Sequence, residues 1–495
     1  MGIKKYYSNK DNTIANAFEE NLITRATGSN MGAADILEAF VIHGQTSASI
    51  NAANAEQSRI LIQFPINSIQ SDINNGILPA DTGSIKFHLN LYNAPHGSST
   101  PEDFTLDLKM ISQSWTEGRG LDMDNYSDAG VSNWVSASSG VEWTSQGGSF
   151  LSGPNTSASI SFDTGLENIS VDVSEIVYKW LDATDNYGFL IKFPDSSLSG
   201  PDSLYTKKFF GRSSEFFHYQ PTIEARWDSA RKDNRGNFYI SSSVAPASDN
   251  LNTLYLYNVI RGQLTNIPGL SGNKLMVEVY SGSAAPTGDP LTVVDSGGSS
   301  VTAVTGGLLV ENGNTVTGVY TASFASTSSL ETVFDVWHTG SGGSRIEFYT
   351  GSYEPLSVAT ADLLYDTVYL TTITNLEDEY KKGQKPKLRV FVRDKDWSPN
   401  IYTVANAAIE TTIIEDAYYS IFRSIDNLEI IPYGTGSSNN NFSRLSYDVS
   451  GNYFELDTSC LEPGYMYGIK FAYYLQGEYR EQPEVFKFKI EEDDV

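Results

Sequence analysis

The sequence contains one cysteine, Cys460, in 495 residues. A single thiol cannot form a disulfide within the chain, and it cannot supply the several thiolates of a structural zinc site. We therefore expect the fold to be held by side-chain packing alone.

Basic residues are scarce in the chain. There are 33 Lys and Arg against 60 Asp and Glu, which gives a formal net charge of −27. Binding to the phosphate backbone of a nucleic acid requires clustered Lys and Arg, and the sequence has no dense basic run. The charge predicts no nucleic-acid partner and favours solubility.

Long apolar runs are also missing. No stretch of about 18 apolar residues occurs, and such a stretch is what a membrane-spanning helix requires. The first residues, M-G-I-K-K-Y-Y, lack the apolar segment of a secretion signal. We expect no membrane span and no secretion signal.

Motifs of common catalytic sites are missing too. The sequence has no H-E-x-x-H, no G-x-S-x-G, no P-loop and no dinucleotide fingerprint. Five histidines are scattered: His43, His88, His96, His218 and His338. We therefore predict that the protein is not an enzyme and needs no cofactor. Carboxylate pairs for glycoside hydrolysis, such as Glu117 with Asp122, stay open because sequence does not show spatial pairing.

Aromatic residues and glycine are abundant. The chain has 29 Tyr, 24 Phe and 41 Gly, a composition that favours strands and turns over helices. Residues 85–92, I-K-F-H-L-N-L-Y, alternate strictly between apolar and polar, as a strand with one buried face does. Similar short runs recur along the whole chain, and the sequence therefore predicts an all-β protein.

Length and composition predict three domains. We assign residues 1–228 to a sandwich with one short helix, 229–368 to a small β-sandwich and 369–495 to an Ig-like β-sandwich. In the last domain, Pro463 and Gly464 form a corner across which Tyr465 or Tyr467 is expected to hydrogen-bond.

Two polar segments are interpreted as lying outside the domain cores. Residues 228–239, D-S-A-R-K-D-N-R-G-N-F-Y, are charged and contain glycine, which is typical of a linker open to proteolysis. Residues 4–10 are rich in Lys and Tyr, and we expect an arm that orders only against a neighbouring subunit.

The stretch 114–221 organises the first domain. Ser174 is a candidate helix N-cap after a short strand. An apolar stripe at helical spacing follows it: Ile176, Val177, Trp180 and Leu181. We expect Trp180 to close the end of an antiparallel sandwich.

An ordered set of short motifs in this stretch resembles the DNRLRE-type domain, a jelly roll similar to carbohydrate-binding modules. The motifs are W-T-E-G at 115–118, W-T at 143–144, V-D-V-S at 171–174, K-W at 179–180, N-Y-G-F at 186–189 and P-x-I at 221–223. The family's naming motif corresponds to F-G-R-S-S-E at 210–215, which matches by pattern and not by its letters. The resemblance covers about residues 12–227 and implies a jelly roll.

The polar loop between Trp115 and Trp143 carries the candidate site residues. Asp122, Asp124 and Asp128 suggest a calcium loop, although their spacing departs from the EF-hand pattern; the alternative is a solvated, Asp-rich loop.

Exposed aromatic rings on a jelly roll stack on sugars. Tyr126, Trp134 and Trp143 are therefore candidates for binding a glycan, and core packing is the alternative for the tryptophans.

Other segments resemble structural proteins of tailed bacteriophages, in particular of large marine myovirus-like phages. They are K-D-N-T-I at 10–14, T-G-S-N-M-G-A-A-D-I-L-E at 27–38, R-K-D-N-R-G-N-F-Y at 231–239 and L-Y-L-Y-N-V-I-R-G-Q-L-T-N-I-P at 254–268. The resemblance implies a non-enzymatic virion protein of the tail, neck, baseplate or capsid surface, which assembles with copies of itself and with other virion proteins. The alternative is a carbohydrate-binding module that recognises a host glycan.

Overall fold

The computed structural model describes residues 2–43, 55–97, 101–121, 131–182, 184–199, 206–241, 246, 249–356, 368–397, 401, 411–436 and 441–491. The structure is mainly β, with 45% of its residues in strands and 9% in helices, as the sequence predicts. The chain divides into two units, Ile3–Trp227 and Asp228–Val495, with Met1–Gly2 assigned to the second. Within the described ranges, no helix combines the length and the apolar character that crossing a membrane requires.

The first unit is built from short strands and two helices, α1 (Ile66–Asn74) and α2 (Ser174–Leu181). Its strands are β1 (Ile3–Tyr7), β2 (Lys10–Ala15), β3 (Ile36–Ile42), β4 (Glu56–Gln63), β5 (Lys86–Leu91), β6 (Phe104–Met110), β7 (Ser136–Ser138), β8 (Val141–Glu142), β9 (Ser157–Phe162), β10 (Ile169–Asp172), β11 (Phe189–Lys192), β12 (Thr206–Phe210) and β13 (Thr222–Arg226). Short 3-10 helices occur at Thr82–Ser84, Asp195–Leu198 and Phe217–Tyr219.

Two antiparallel sheets of this unit share one hydrophobic core. A four-stranded sheet has the order β1-β13-β5-β10, and a seven-stranded sheet has the order β12-β3-β4-β11-β6-β9 with β2 beside β4. Leu89 and Ile223 of the smaller sheet and Ile62 and Leu108 of the larger one are fully buried in the same cluster. The apolar face predicted for β5 is buried as expected, but His88 and Asn90 on its other face are buried as well.

Helix α2 places Trp180 in this core. Its ring is 4.8 Å from that of Phe189, and Ile176 and Val177 of the same helical stripe are buried. The N-cap prediction for Ser174 is wrong, because Ser174 is the first helical residue. Its Oγ accepts a hydrogen bond from the Phe87 backbone N–H at 2.9 Å and so ties the helix to β5.

The N-terminal segment is an edge strand and not an arm. All five residues of β1 pair with β13, from Ile3 opposite Arg226 to Tyr7 opposite Thr222. Ile3 and Tyr6 are buried, and the Tyr6 hydroxyl donates to Asp72 Oδ2 at 2.5 Å. The arm interpretation failed because the two lysines of β1 stand between Ile3 and Tyr6, both of which are buried.

The strands of the second unit run to the end of the described chain. They are β14 (Asn252–Tyr257), β15 (Val259–Ile260), β16 (Gln263–Leu264), β17 (Lys274–Ser281), β18 (Val293–Asp295), β19 (Ser300–Val301), β20 (Ala303–Glu311), β21 (Asn314–Ala325), β22 (Val333–Thr339), β23 (Ile346–Tyr353), β24 (Tyr369–Ile373), β25 (Glu379–Lys381), β26 (Lys387–Asp394), β27 (Ala417–Arg423), β28 (Glu429–Ile431), β29 (Ser446–Asp448), β30 (Gly451–Glu455), β31 (Met466–Leu475), β32 (Glu478–Glu481) and β33 (Phe486–Glu491). Short 3-10 helices occur at Asn234–Gly236, Ser271–Asn273, Gly342–Ser344 and Thr458–Cys460.

These strands form three main sheets. The eight-stranded sheet has the order β19-β18-β21-β20-β17-β22-β23, with β14 beside β21. A four-stranded sheet, β24-β26-β30-β29, faces a six-stranded sheet, β25-β33-β31-β27-β28 with β32 beside β31. Between these two, the rings of Tyr419 and Phe454 stack at 4.4 Å, so the sheets share a core.

The corner predicted before β31 is present. The Tyr467 hydroxyl accepts from the Glu462 backbone N–H at 2.8 Å and donates to the Glu462 carbonyl at 2.9 Å. Of the two tyrosines that the sequence left open, Tyr467 makes the bond across the corner.

The linker interpretation of residues 228–239 is wrong. Residues 231–238, here called the clamp segment, contact two sheets of the second unit. The Tyr447 backbone N–H on β29 donates to the Arg231 carbonyl at 3.0 Å, and the Thr253 N–H on β14 donates to Asn234 Oδ1 at 2.9 Å. Phe238 is fully buried in the core of the eight-stranded sheet.

Arg235 is the centre of the clamp segment. Its Nη2 lies 2.7 Å from Asp335 Oδ2, its Nη1 lies 3.0 Å from Asp233 Oδ2, and all three side chains are buried. Burial raises the pKa of Asp233 to about 6, and the Arg235 charge opposes that rise. The Trp337 Nε1–H donates to Asp335 at 2.7 Å, which fixes the second carboxylate.

We predict that Trp180→Ala lowers the free energy of unfolding of the first unit by about 3–5 kcal/mol, since it removes a large buried ring. Chemical denaturation measures this change. Leu166→Ala, at an exposed leucine of the same unit, is the control and should change it little. A Trp180→Ala protein that melts like the wild type would contradict the burial of the ring.

We predict that Arg235→Ala lowers the free energy of unfolding of the second unit by about 3–5 kcal/mol, because Asp335 is left as an uncompensated buried charge. The matched control is Arg231→Ala, whose bidentate pair with Glu311 is partly exposed and is worth about 0–1 kcal/mol. Equal effects of the two substitutions in denaturant titrations would show that Arg235 has no special role.

Candidate functional site

The predicted loop site is only partly described. Asp122, Asp124, Asp128 and Tyr126 lie outside the described residues. In the part of the chain that the structure describes, no group of three His, Cys, Asp or Glu side chains is arranged to hold a metal ion.

The two candidate tryptophans are buried. Trp134 is 6% exposed and Trp143 is 4% exposed, in a small cluster with Leu61 and Leu190. The Arg59 guanidinium lies 4.9 Å from the Trp134 ring centroid, and the Trp143 Nε1–H donates to the Asn133 carbonyl at 2.8 Å. Stacking on a sugar requires an exposed ring face, which neither tryptophan has. Both rings pack in the core, which was the alternative for the tryptophans.

Segments of the family-like pattern meet at one polar cluster of the first unit. The Glu117 carboxylate accepts from Arg212 Nε and Nη2, both at 2.8 Å, and from the Asp11 backbone N–H at 2.8 Å. The Asp11 Oδ2 accepts from the Arg212 backbone N–H at 2.6 Å. Glu117 follows β6, Arg212 follows β12 and Asp11 lies in β2, so the cluster ties three distant segments together.

Asp11 is the most perturbed carboxyl of this cluster. It is fully buried, its Oδ1 accepts no hydrogen bond, and that oxygen lies 4.0 Å from Arg212 Nε. Burial raises its pKa to about 7, with a further contribution from Glu117, while the contacts with Arg212 oppose the rise. Such a group can hold a proton near neutral pH, but it is enclosed and has no access to a substrate.

Glycine is required where the W-T-E-G motif approaches Asn30. A Cβ on Gly118 would lie 1.8 Å from Asn30 Oδ1, and one on Gly32 would lie 2.3 Å from the Gly118 carbonyl oxygen. The Asn30 Oδ1 accepts from the Gly120 N–H at 3.0 Å. These motif residues are therefore explained by close packing of loops.

A second charged group lies across β1, β13 and β5. Glu224 is paired with Lys5 at 3.0 Å and with Arg226 at 2.7 Å. Burial alone would raise the pKa of Glu224, but these two cations lower it to about 2. Burial lowers the pKa of the neighbouring His88 to about 4, which leaves the imidazole neutral. The buried Glu224 carboxylate is thus compensated by two cations, as in a structural ion pair.

An exposed aromatic pair lies on the hairpin of β31 and β32. Tyr474 is 43% exposed and Tyr479 is 46% exposed. They are directly opposite each other, with ring centroids 4.9 Å apart and an interplanar angle of 51°. Gln476 and Gly477 both have positive φ, which closes the hairpin with a tight two-residue turn.

Polar groups surround this pair on the same face. The Glu481 carboxylate accepts from Lys470 Nζ at 3.2 Å and from the Tyr433 hydroxyl at 3.2 Å. Ala472 is opposite Glu481. Its small side chain makes the face lower at this position than at the two tyrosine rings. Sequence reasoning missed this hairpin, although Y-Y-L-Q-G-E-Y, with glycine at the second turn position, carries a hairpin signal.

Comparisons with known proteins add little. No protein-family model matches the chain, and no curated protein matches it. Among solved structures, one match is a DUF4785 family protein from Legionella pneumophila, with 9% sequence identity and a TM-score of 0.13 over 98% of this chain and 90% of that chain. A similarity of this size supports neither a fold nor a function.

We predict that Asp11→Asn stabilises the first unit more at pH 8 than at pH 5. The pKa of Asp11 rises from 3.8 to about 7 on folding, so the stability that its proton supplies is full below about pH 4 and is lost as the pH rises through 7. The difference between the two pH values should be about 2–3 kcal/mol in denaturant titrations.

Asp35→Asn, at an exposed carboxylate, is the control and should show no such difference. A stabilisation by Asp11→Asn that is the same at both pH values would contradict the raised pKa.

Proposed function

We propose that this protein is a non-enzymatic structural component of a tailed-bacteriophage virion, present in several copies in the tail, neck, baseplate or capsid surface. Its partners would be copies of itself and other virion proteins. The resemblance of the segments at 10–14, 27–38, 231–239 and 254–268 to phage structural proteins supports this proposal. The succession of β-sheets along the chain agrees with it.

The proposed domains are a jelly roll over residues 1–228, a small β-sandwich over 229–368 and an Ig-like sandwich over 369–495. The non-consecutive strand order of two sheets around one core supports the jelly roll. The bond of Tyr467 across its corner supports the Ig-like sandwich, because tyrosine corners are typical of Greek-key sandwiches.

The absence of an enzymatic role is also part of the proposal. In the described residues, the charged side chains within each of the clusters around Arg212, Glu224 and Arg235 form ion pairs with one another. Charges that are neutralised inside the fold are typical of structural networks, whereas catalytic groups face a cleft.

The observation that favours assembly most is the edge strand β23. It is the last strand of the eight-stranded sheet, and within the described ranges it pairs only with β22. Ile346, Phe348 and Tyr349 on this strand are exposed. An open edge with apolar side chains is usually covered by another chain.

A hollow beside β23 extends the exposed apolar surface. It has a volume of about 420 Å³ and is lined by Ile346 and Phe348 together with Leu270 and Met276. Edge and hollow together give a partner chain both backbone groups and an apolar recess.

The second candidate function is glycan recognition by the virion. In the first unit, all five tryptophans are buried: Trp115, Trp134, Trp143, Trp180 and Trp227. These rings cannot stack on a sugar. The specific observation in favour of this function is instead the exposed pair Tyr474 and Tyr479 of the second unit.

We predict that the double substitution Ile346→Lys with Phe348→Lys prevents incorporation into particles without lowering the melting temperature, because it places charge on an exposed edge. Quantitative immunoblots of purified particles and sedimentation of the free protein measure incorporation and self-association. The control is Ile425→Lys, at an exposed isoleucine away from this strand.

Incorporation of the double variant at the wild-type ratio would show that β23 is not the assembly contact. Particles that lack even the wild-type protein would overturn the virion proposal itself.

A further inference from the structure

We propose that the solvent face of the β31–β32 hairpin binds a neutral, hexose-based glycan, with Tyr474 and Tyr479 stacking on the sugar and Glu481 accepting its hydroxyl groups. The inference deepens the second candidate function and rests on it. It does not depend on where the protein is placed in a virion.

The two rings are held by backbone pairing. Tyr474 and Tyr479 are opposite each other in the ladder, and the two-residue turn fixes the register of the strands. The buried Tyr418 ring packs edge-on against Tyr479 at 5.6 Å, and its hydroxyl donates to Asn441 Oδ1 at 3.1 Å. Aromatic surface that is rigid before binding loses little conformational entropy in a complex.

The chemistry of the face fits a sugar better than an apolar peptide. The C–H groups of a pyranose carry partial positive charge and pack against the electron-rich face of a tyrosine ring. The rings share their face with the charged side chains of Glu481 and Lys470. A ligand for this face therefore needs apolar patches and hydroxyl groups side by side, as a pyranose has.

Glu481 is oriented to accept further hydrogen bonds. Its Oε1 is bound by Lys470 and its Oε2 by Tyr433, and its side chain is half-exposed. Each carboxylate oxygen has two lone pairs, so one acceptor position on each oxygen is left for a ligand. Sugar hydroxyls are donors that suit such positions.

Charge selects the class of glycan. Glu481 lies on β32, and Glu429 lies on β28 of the same sheet; burial and the Glu481 charge both raise the pKa of Glu429, and Lys470 opposes the rise. The chain as a whole has a net charge of −27. Uronic and sialic acids would be repelled, which leaves neutral hexoses.

The test is affinity electrophoresis of the full chain in gels containing laminarin, amylose, mannan or galactan, with polygalacturonate as the acidic contrast. The expected result is retardation by at least one neutral polymer. Titration calorimetry with oligosaccharides of that polymer should then show binding about tenfold weaker for Tyr479→Ala, which loses one stacking ring, and little changed for Tyr479→Phe.

Two further variants complete the set. Glu481→Gln should weaken binding about tenfold through the loss of a charged acceptor, with no change in melting temperature. Phe348→Ala removes an exposed ring from a different sheet and should bind like the wild type.

The outcomes distinguish failure of this site from failure of glycan recognition as a function. Retardation by a neutral polymer that survives Tyr479→Ala and Tyr474→Ala would overturn this site and leave glycan recognition standing. Retardation by polygalacturonate alone would overturn the neutral class. No retardation by any polymer at millimolar sugar would overturn both the site and the second candidate function.

Discussion

The second unit depends on the buried contact of Arg235 with Asp335 and Asp233. A guanidinium in a protein interior is costly unless partners compensate its charge in close geometry. That requirement holds residues 231–238 against the eight-stranded sheet. The same segment adds backbone bonds to β29, so the eight-stranded sheet and the four-stranded sheet are tied through one short stretch of chain. This explains why residues 228–495 form a single compact unit.

In the first unit, a similar contact between an arginine and carboxylates joins distant segments. Arg212 binds Glu117 in bidentate geometry beside the buried Asp11, and three segments that are far apart in the chain meet there. The chain has no disulfide to provide such cross-links. Bidentate arginine pairs supply fixed geometry instead, although each desolvated charge reduces their net contribution.

The features that sequence predicted are local ones. The alternation of β5, the stripe of α2 and the corner at Tyr467 each depend on residues close together in the chain. The failures involve distant partners. Residues 231–238 have the composition of a linker, and only Asp335, 100 residues away, makes them part of a core. The Trp134 ring is likewise covered by residues distant in the chain, among them Arg59 and Leu61.

For the candidate site, the decisive property of an aromatic ring is the face of the strand on which it lies. Tyr473 and Tyr474 are adjacent, yet the first is buried and the second is exposed, because successive side chains point to opposite faces. The two candidate tryptophans are buried, whereas strand parity and the turn leave Tyr474 and Tyr479 exposed. This face belongs to the six-stranded sheet, whereas β23 belongs to the eight-stranded one. The two surfaces share no strand, so substitutions on one can be tested without changing the residues of the other.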